Sequence, residues 1–184
     1  MRRNLAKFER VGQLLCLCMA VLSPNFAFAQ ADATRFSGLK LSGDQPVQIE
    51  SDKLEVQESE HLAIFTGNVA VVQGSTLLKA GKLVVHYAND GGSATTGSAA
   101  IERLEASDKV YVKSENQVAT GDVGTFVMKT EVLVLSGKRV VLSEGENVAT
   151  GCKLTVQMKS GKAQLDGCGG RVSMAVSPSS AKKN

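Results

Sequence analysis

Three features of this 184-residue chain predict an all-β fold built of stacked hairpins. The first is a repeat. Phe65-Thr-Gly-Asn-Val-Ala-Val-Val-Gln-Gly74, a strand that enters a glycine turn and leaves as an alternating apolar strand, returns degraded as Leu135-Ser-Gly-Lys-Arg-Val-Val-Leu-Ser-Glu-Gly145. Val118-Ala-Thr-Gly121 returns letter for letter as Val148-Ala-Thr-Gly151, Ser107-Asp-Lys-Val-Tyr-Val112 fits the opening of the unit, and a partial copy begins at Leu165-Asp-Gly167. The second is turn spacing: signals fall at nearly every tenth residue, as in a sandwich, barrel or roll. The third is proline placement. None lies between Pro46 and Pro178, so nothing in that interval is barred from donating to a sheet ladder. Units of this size cannot bury an apolar face alone and must stack.

The elements follow in order. Residues 1–29 read as a signal peptide: Arg2, Arg3, Lys7 and Arg10 precede an apolar run from Val11 to Leu22, and Ala27-Phe28-Ala29 offers small residues at −3 and −1. The run is too short for a membrane span. Residues 30–44 read as a flexible lead-in, 45–176 as the folded domain and 177–184 as a disordered tail. Pro46 to Val56 is expected to form a first strand pair kinked near Ser51-Asp52. Ala63, Phe65, Val69 and Val71 alternate with polar or smaller residues, the period of a half-buried strand. Leu78 and Ala80, then Leu83, Val85 and Tyr87, continue after turns at Gly74 and Gly81. Asn89 to Ala99 is rich in Gly, Ser and Thr and is expected to be a mobile loop. Strands resume at Val110 to Lys113, Thr125 to Met128, Val132 to Leu135, Val140 to Leu142, Leu154 to Met158, Gln164 to Leu165 and Val172 to Val176. After Gly137, Lys138 and Arg139 break the alternation and predict a bulge, so positions 140 to 142 could face either way.

Cys152 and Cys168 remain after cleavage, an even pair in an oxidising compartment. They flank a hairpin turning at Lys159-Ser-Gly-Lys162, and a three-residue loop there would set them opposite each other, where a disulfide is feasible. Two free thiols are the alternative. No His or further Cys lies near enough in sequence to suggest a metal site.

Charge and chemistry exclude more than they assign. Of 21 basic residues four lie in the leader, and of 18 acidic residues only Glu9 does, leaving 17 of each. A formally neutral chain offers no footing for nucleic acid. No Gly-x-Ser-x-Gly elbow accompanies His61 or His86, and both read as solvated histidines. Asp52, Asp108 and Asp122 read as turn caps rather than an acid/base dyad. Gly167-Cys-Gly-Gly170 is no phosphate loop, since neither a helix nor Gly-Lys-Ser/Thr follows. The expectation is a non-enzyme without cofactors. The inward positions are Val, Leu, Ile, Ala and Phe, with no Trp, which disfavours a sugar-binding platform. Any one apolar residue is core packing first. Collectively, stacked hairpins would enclose an apolar trough that can hold acyl chains.

Ile49-Glu-Ser-Asp52, Phe65-Thr-Gly-Asn-Val69, Leu78-Lys-Ala80 with Leu83-Val-Val85, Gly121-Asp-Val-Gly-Thr-Phe126, Leu133-Val-Leu-Ser-Gly137, Gly151-Cys-Lys-Leu-Thr-Val156, and Gly161 followed by Leu165 resemble, in order, the blocks of the LptA family of periplasmic lipopolysaccharide-transport proteins with the OstA-like fold. The resemblance covers about residues 45 to 176. It implies an incomplete antiparallel β-jellyroll in the periplasm that binds the lipid A part of lipopolysaccharide. It also implies head-to-tail self-assembly and bridging between LptC-like inner-membrane and LptD-like outer-membrane components. Matching blocks place Val47, Ile49, Phe65, Val69, Val71, Leu83, Val85, Val110, Val112, Phe126, Met128, Leu133 and Leu135 on the trough wall. The cysteine pair is not part of the expected family pattern, and the 89–99 loop carries no assigned role. The expected exposed edges are the first strand after Pro46 and the last before Pro178. Two other readings compete: a scaffold that recruits outer-membrane proteins by strand addition without touching lipid, and, more remotely, a glycan-processing enzyme on a repeat β-fold.

Overall fold

A computed structural model describes residues 45–89, 92–96 and 98–178; the expected leader, the lead-in over 30–44 and residues 179–184 of the expected tail lie outside them. The described residues form β1 (Gln48–Glu50), β2 (Lys53–Gln57), a 3-10 turn (Glu58–Glu60), β3 (Leu62–Gln73), β4 (Thr76–Tyr87), β5 (Ile101–Ser114), β6 (Gln117–Val127), β7 (Val132–Glu144), β8 (Asn147–Gln157), β9 (Lys162–Asp166) and β10 (Ser173–Ala175). The strands make one antiparallel sheet in the order β1-β3-β4-β5-β6-β7-β8-β10, with β2 also on β3 and β9 also on β8. The fold is all-β, an incomplete jellyroll.

Two expectations are corrected by the register. Pro46 to Val56 is not a strand pair: β1 and β2 each pair with β3, at Ile49 opposite Val71 and Leu54 opposite Phe65. Gly81 is not a turn, and the short strands expected around Asp108, Asp122 and Gly137 are single long strands. The ladder runs through these sites as bulges, between Thr66 and Val69, Lys79 and Lys82, Ser107 and Val110, Thr120 and Val123, and Ser136 and Val140. A turn-like dipeptide inside a long strand bends it without ending the pairing, and the sequence alone does not separate that from a true turn. The bulges lie side by side across the sheet and crease it along one line.

A pairing of aspartate with glycine recurs along the crease: Asp52 with Gly67, Asp108 with Gly81, Asp122 with Gly137, and Asp166 with Gly151. At the first, the Asp52 N–H donates to the Gly67 carbonyl (2.9 Å), and Asn68 Nδ2 donates to Asp52 Oδ2 (2.9 Å). At the third, the Lys138 N–H donates to Asp122 Oδ2 (2.8 Å), and a Cβ on Gly137 would come within 2.5 Å of the same oxygen. At Asp122 the carboxylate thus satisfies an amide at the bulge, and there only glycine leaves room for it.

The described residues contain no second layer, yet Leu83, Val85, Val112, Leu135, Val140, Leu154 and Val156 are 0% exposed. One sheet buries its face to this degree by folding over on itself, and the crease is where it does so. Residues from both sides of the crease, Val71, Leu78 and Val112 on one and Leu83, Val85 and Leu135 on the other, belong to one buried cluster.

The loop between β4 and β5, expected to be mobile, is anchored. Glu58 Oε1 accepts from Ser93 Oγ (2.8 Å), from the Thr95 N–H (2.9 Å) and from the Thr95 hydroxyl. These bonds hold the Glu58 carboxyl down at about 2. The sheet edges fall at β1 and β2 on one side and at β9 and β10 on the other.

Candidate functional site

The interior is built from rows of side chains, each row running across the sheet in register. Next to the crease on one half lie Leu54, Phe65, Leu83, Ala106, Gly124, Leu135, Leu154 and Leu165. One row further out lie Val56, Ala63, Val85, Leu104, Phe126, Leu133, Val156 and Ala163, on the same registers. On the other half, Ile49, Val71, Leu78, Val112, Ala119, Leu142, Ala149 and Met174 form a matching row. Opposed apolar pairs of this kind stabilise each rung, and the rows make the wall continuous from one sheet edge to the other.

Of the residues predicted to line the wall, Val69, Val71, Leu83, Val85, Val110, Val112, Phe126, Leu133 and Leu135 are buried in one cluster, and Val47, Ile49, Phe65 and Met128 pack against it partly exposed. The predicted wall omitted Leu78, Leu104, Ala106, Ala119, Leu154 and Val156, which belong to the same cluster. Alternation along β5 from Val110 and Val112 reaches Ala106 and Leu104, whereas Leu78 and Ala119 lie across a bulge from the residues chosen on their strands, and none was chosen on β8. The facing left open at positions 140 to 142 resolves as Val140 and Leu142 inward, because the bulge between Ser136 and Val140 shifts the parity.

Two rims border the folded sheet. The long-turn rim carries Tyr87, Ile101, Met128 and Met158, all packed on the core. Burial raises the Tyr87 hydroxyl above its ordinary pKa, with the nearby Glu58 charge adding to it. The tight-turn rim carries Gln73, Thr76, Ser114, Gln117, Glu144 and Asn147 in one register row. Strands pair only with their neighbours, and among the described residues no backbone hydrogen bond joins one rim to the other.

Remaining polar groups lie outside this interior. His86 Nε2 is 3.3 Å from Glu105 Oε2, and Arg103 Nη2 is 3.1 Å from Glu105 Oε1, an outward-facing trio rather than a lone solvated histidine. A hollow of about 400 Å³ at the crease is lined by Lys79, Lys109, Asp108 and Asn68 among others. Among the described residues, no group of three His, Cys, Asp or Glu could hold a metal, and no helix is long and apolar enough to cross a membrane. Cys152 and Cys168 are bonded, with Cα atoms 6.0 Å apart. They are not directly opposite: Lys153 pairs with Asp166, so the register points Cys152 at position 167. Cys168 reaches its partner from a left-handed backbone, φ 44°.

Residues 48–162 match the family described as LptA/(LptD N-terminal domain) LPS transport protein. The chain is 54% identical over 165 residues to an uncharacterised protein of Rhizobium meliloti, covering 90% of this chain and 89% of that one. It is 34% identical over 74 residues to the lipopolysaccharide export system protein LptA of Haemophilus influenzae, covering 40% of this chain and 38% of the relative. The fold superposes with a TM-score of 0.62, at 18% identity, on LptH, the LptA-homologous periplasmic component of the lipopolysaccharide transport device of Pseudomonas aeruginosa. That alignment covers 74% of this chain and 99% of LptH.

Proposed function

The chain belongs to the LptA/LptD N-terminal-domain family of lipopolysaccharide-transport proteins, and on that basis we propose that it is a periplasmic carrier whose folded sheet takes up the acyl chains of lipopolysaccharide. The observation that carries this reading is the set of unbroken apolar rows ending at exposed side chains: Leu54 (53% exposed) at the β2 edge and Met174 (60%) at the β10 edge. A lipid with about fifty methylenes faces on the order of 40 kcal/mol in water, at roughly 0.8 kcal/mol for each one. An apolar path removes that barrier without catalysis.

The interior side chains are almost fully buried, so a chain enters only if the halves part. Separating the rims breaks no backbone ladder, since among the described residues no backbone hydrogen bond joins them. Opening is thus cheap only when lipid takes the place of the partner wall. The sheet edges at β1/β2 and β9/β10 are the surfaces for head-to-tail pairing with a second copy and with LptC-like and LptD-like components, since unpaired strand edges recruit strands.

The test is binding of the mature protein to purified lipopolysaccharide and to a de-acylated preparation. Capture of the acylated form alone is expected; equal or stronger binding of the de-acylated form would mean sugar recognition and end the carrier reading. Depletion in cells separates the carrier from a strand-adding scaffold, because only loss of a carrier should strand lipopolysaccharide at the inner membrane.

A further inference from the structure

Every buried polar side chain among the described residues lies in one place: Gln73 (3% exposed), Thr76 (1%), Ser114 (0%) and Gln117 (2%) are consecutive members of the tight-turn row. A random scatter of buried polar groups would not choose a single register line at one rim of an otherwise apolar interior. Most members are engaged. Gln73 Nε2 donates to the Gln45 carbonyl (2.9 Å), and the Thr76 hydroxyl donates to Ser114 Oγ (3.0 Å). Further along, Asn116 Nδ2 donates to Glu144 Oε1 (3.4 Å), and Asn147 Oδ1 accepts from the Ser177 N–H (3.0 Å). Gln117 Oε1 differs: it is buried, faces the interior and has no hydrogen-bond partner among the described residues. A buried acceptor left unpaired is costly, and an apolar side chain of similar size would serve packing better.

The opposite rim, with Tyr87, Ile101, Met128 and Met158, is apolar or thioether in character apart from the Tyr87 hydroxyl. The interior is therefore amphipathic from rim to rim. We infer that the tight-turn row is a polar subsite that fixes the orientation of an acylated ligand, with Gln117 Oε1 accepting a hydrogen bond from a hydroxyl or amide N–H near the head of the acyl chain. This rests on the acyl-chain reading above and refines it. The free group of the row is an acceptor, Gln117 Oε1, and Glu144 adds a carboxylate beside it, so the matching groups on the ligand are neutral donors rather than phosphates. The chains then run across the crease toward the methionine rim, whose flexible side chains adapt to their ends.

Displacement of a bound naphthylamine fluorophore by methyl 3-hydroxytetradecanoate and by methyl tetradecanoate tests the subsite, since the two esters differ by one hydroxyl. The protein should favour the hydroxylated ester about fivefold, the effect of one hydrogen bond of ordinary net strength. Gln117→Leu should bind both esters equally, keep its affinity for the plain ester, and melt at the same temperature as the parent or higher. Binding of both esters without preference in the parent, or a preference retained in Gln117→Leu, would overturn the inference and leave the carrier reading intact. A lower melting temperature for Gln117→Leu would show the amide to be structural and would also overturn it. Binding of neither ester would defeat the acyl-chain reading itself, and the subsite with it.

Discussion

Gly137 has room for a hydrogen and nothing larger, because the Asp122 carboxylate and main chain occupy the space a Cβ would take, at 2.5 Å and 2.8 Å. Gly137→Ala must either push that carboxylate off the Lys138 N–H or bend the crease. It should cost about 2 kcal/mol, read as a lower urea midpoint at unchanged slope; an unchanged midpoint would mean the pairing is incidental. The apolar half of the interior was legible residue by residue, because burial of one face imposes a period of two that Val69, Val71, Leu83 and Val85 display openly. The crease was not. Its signal is an aspartate and a glycine fifteen residues apart, at 52/67, 122/137 and 151/166, and twenty-seven apart at 81/108, where the long loop intervenes. Each Asp or Gly, read in its local context, is indistinguishable from a turn cap, and only the spacing across strands tells otherwise.

At the scale of elements, the β4–β5 loop shows how a low-complexity segment acquires a fixed place. Its anchor, Glu58, lies 35 residues before Ser93, a distance no local pattern reveals. The Glu58 carboxyl is held at about 2 against an ordinary 4.5, so its folded-state pKa is depressed. The docking it supports is complete above about pH 4.5 and is lost as the pH falls through about 2. The Thr95 amide proton should accordingly titrate with a midpoint near 2 by NMR, and a midpoint near 4.5 would show that the carboxylate does not hold the loop. The Cys152–Cys168 disulfide ties the short β9 and the segment after it to β8 across a separation of 16 residues. Replacing both cysteines with serine should cost about 3 kcal/mol in chemical denaturation, the entropy of a loop of that length, and a cost near zero would mean that the β8–β9 hairpin holds itself. The sequence left bonded and free cysteines both open, because the register that governs their approach depends on how the hairpin turns.

For the whole molecule, a sheet creased along a line of bulges has its backbone hydrogen bonds between neighbouring strands and, among the described residues, none between its two rims. That division makes an interior which can be close-packed and yet part without unravelling. It also leaves two open edges with apolar ends. Met174→Asp, at an exposed position on β10, should leave the melting temperature within a degree or two while weakening self-association in sedimentation; unchanged association would remove β10 from the assembly surface. The central claim is that acyl chains occupy the inside of the fold. A photo-crosslinking residue placed at Phe126, buried on the inner face, should capture lipopolysaccharide in cells, whereas the same group at Lys79, exposed on the outer face beside the crease, should not. Equal capture at both positions, or capture at Lys79 alone, would contradict it.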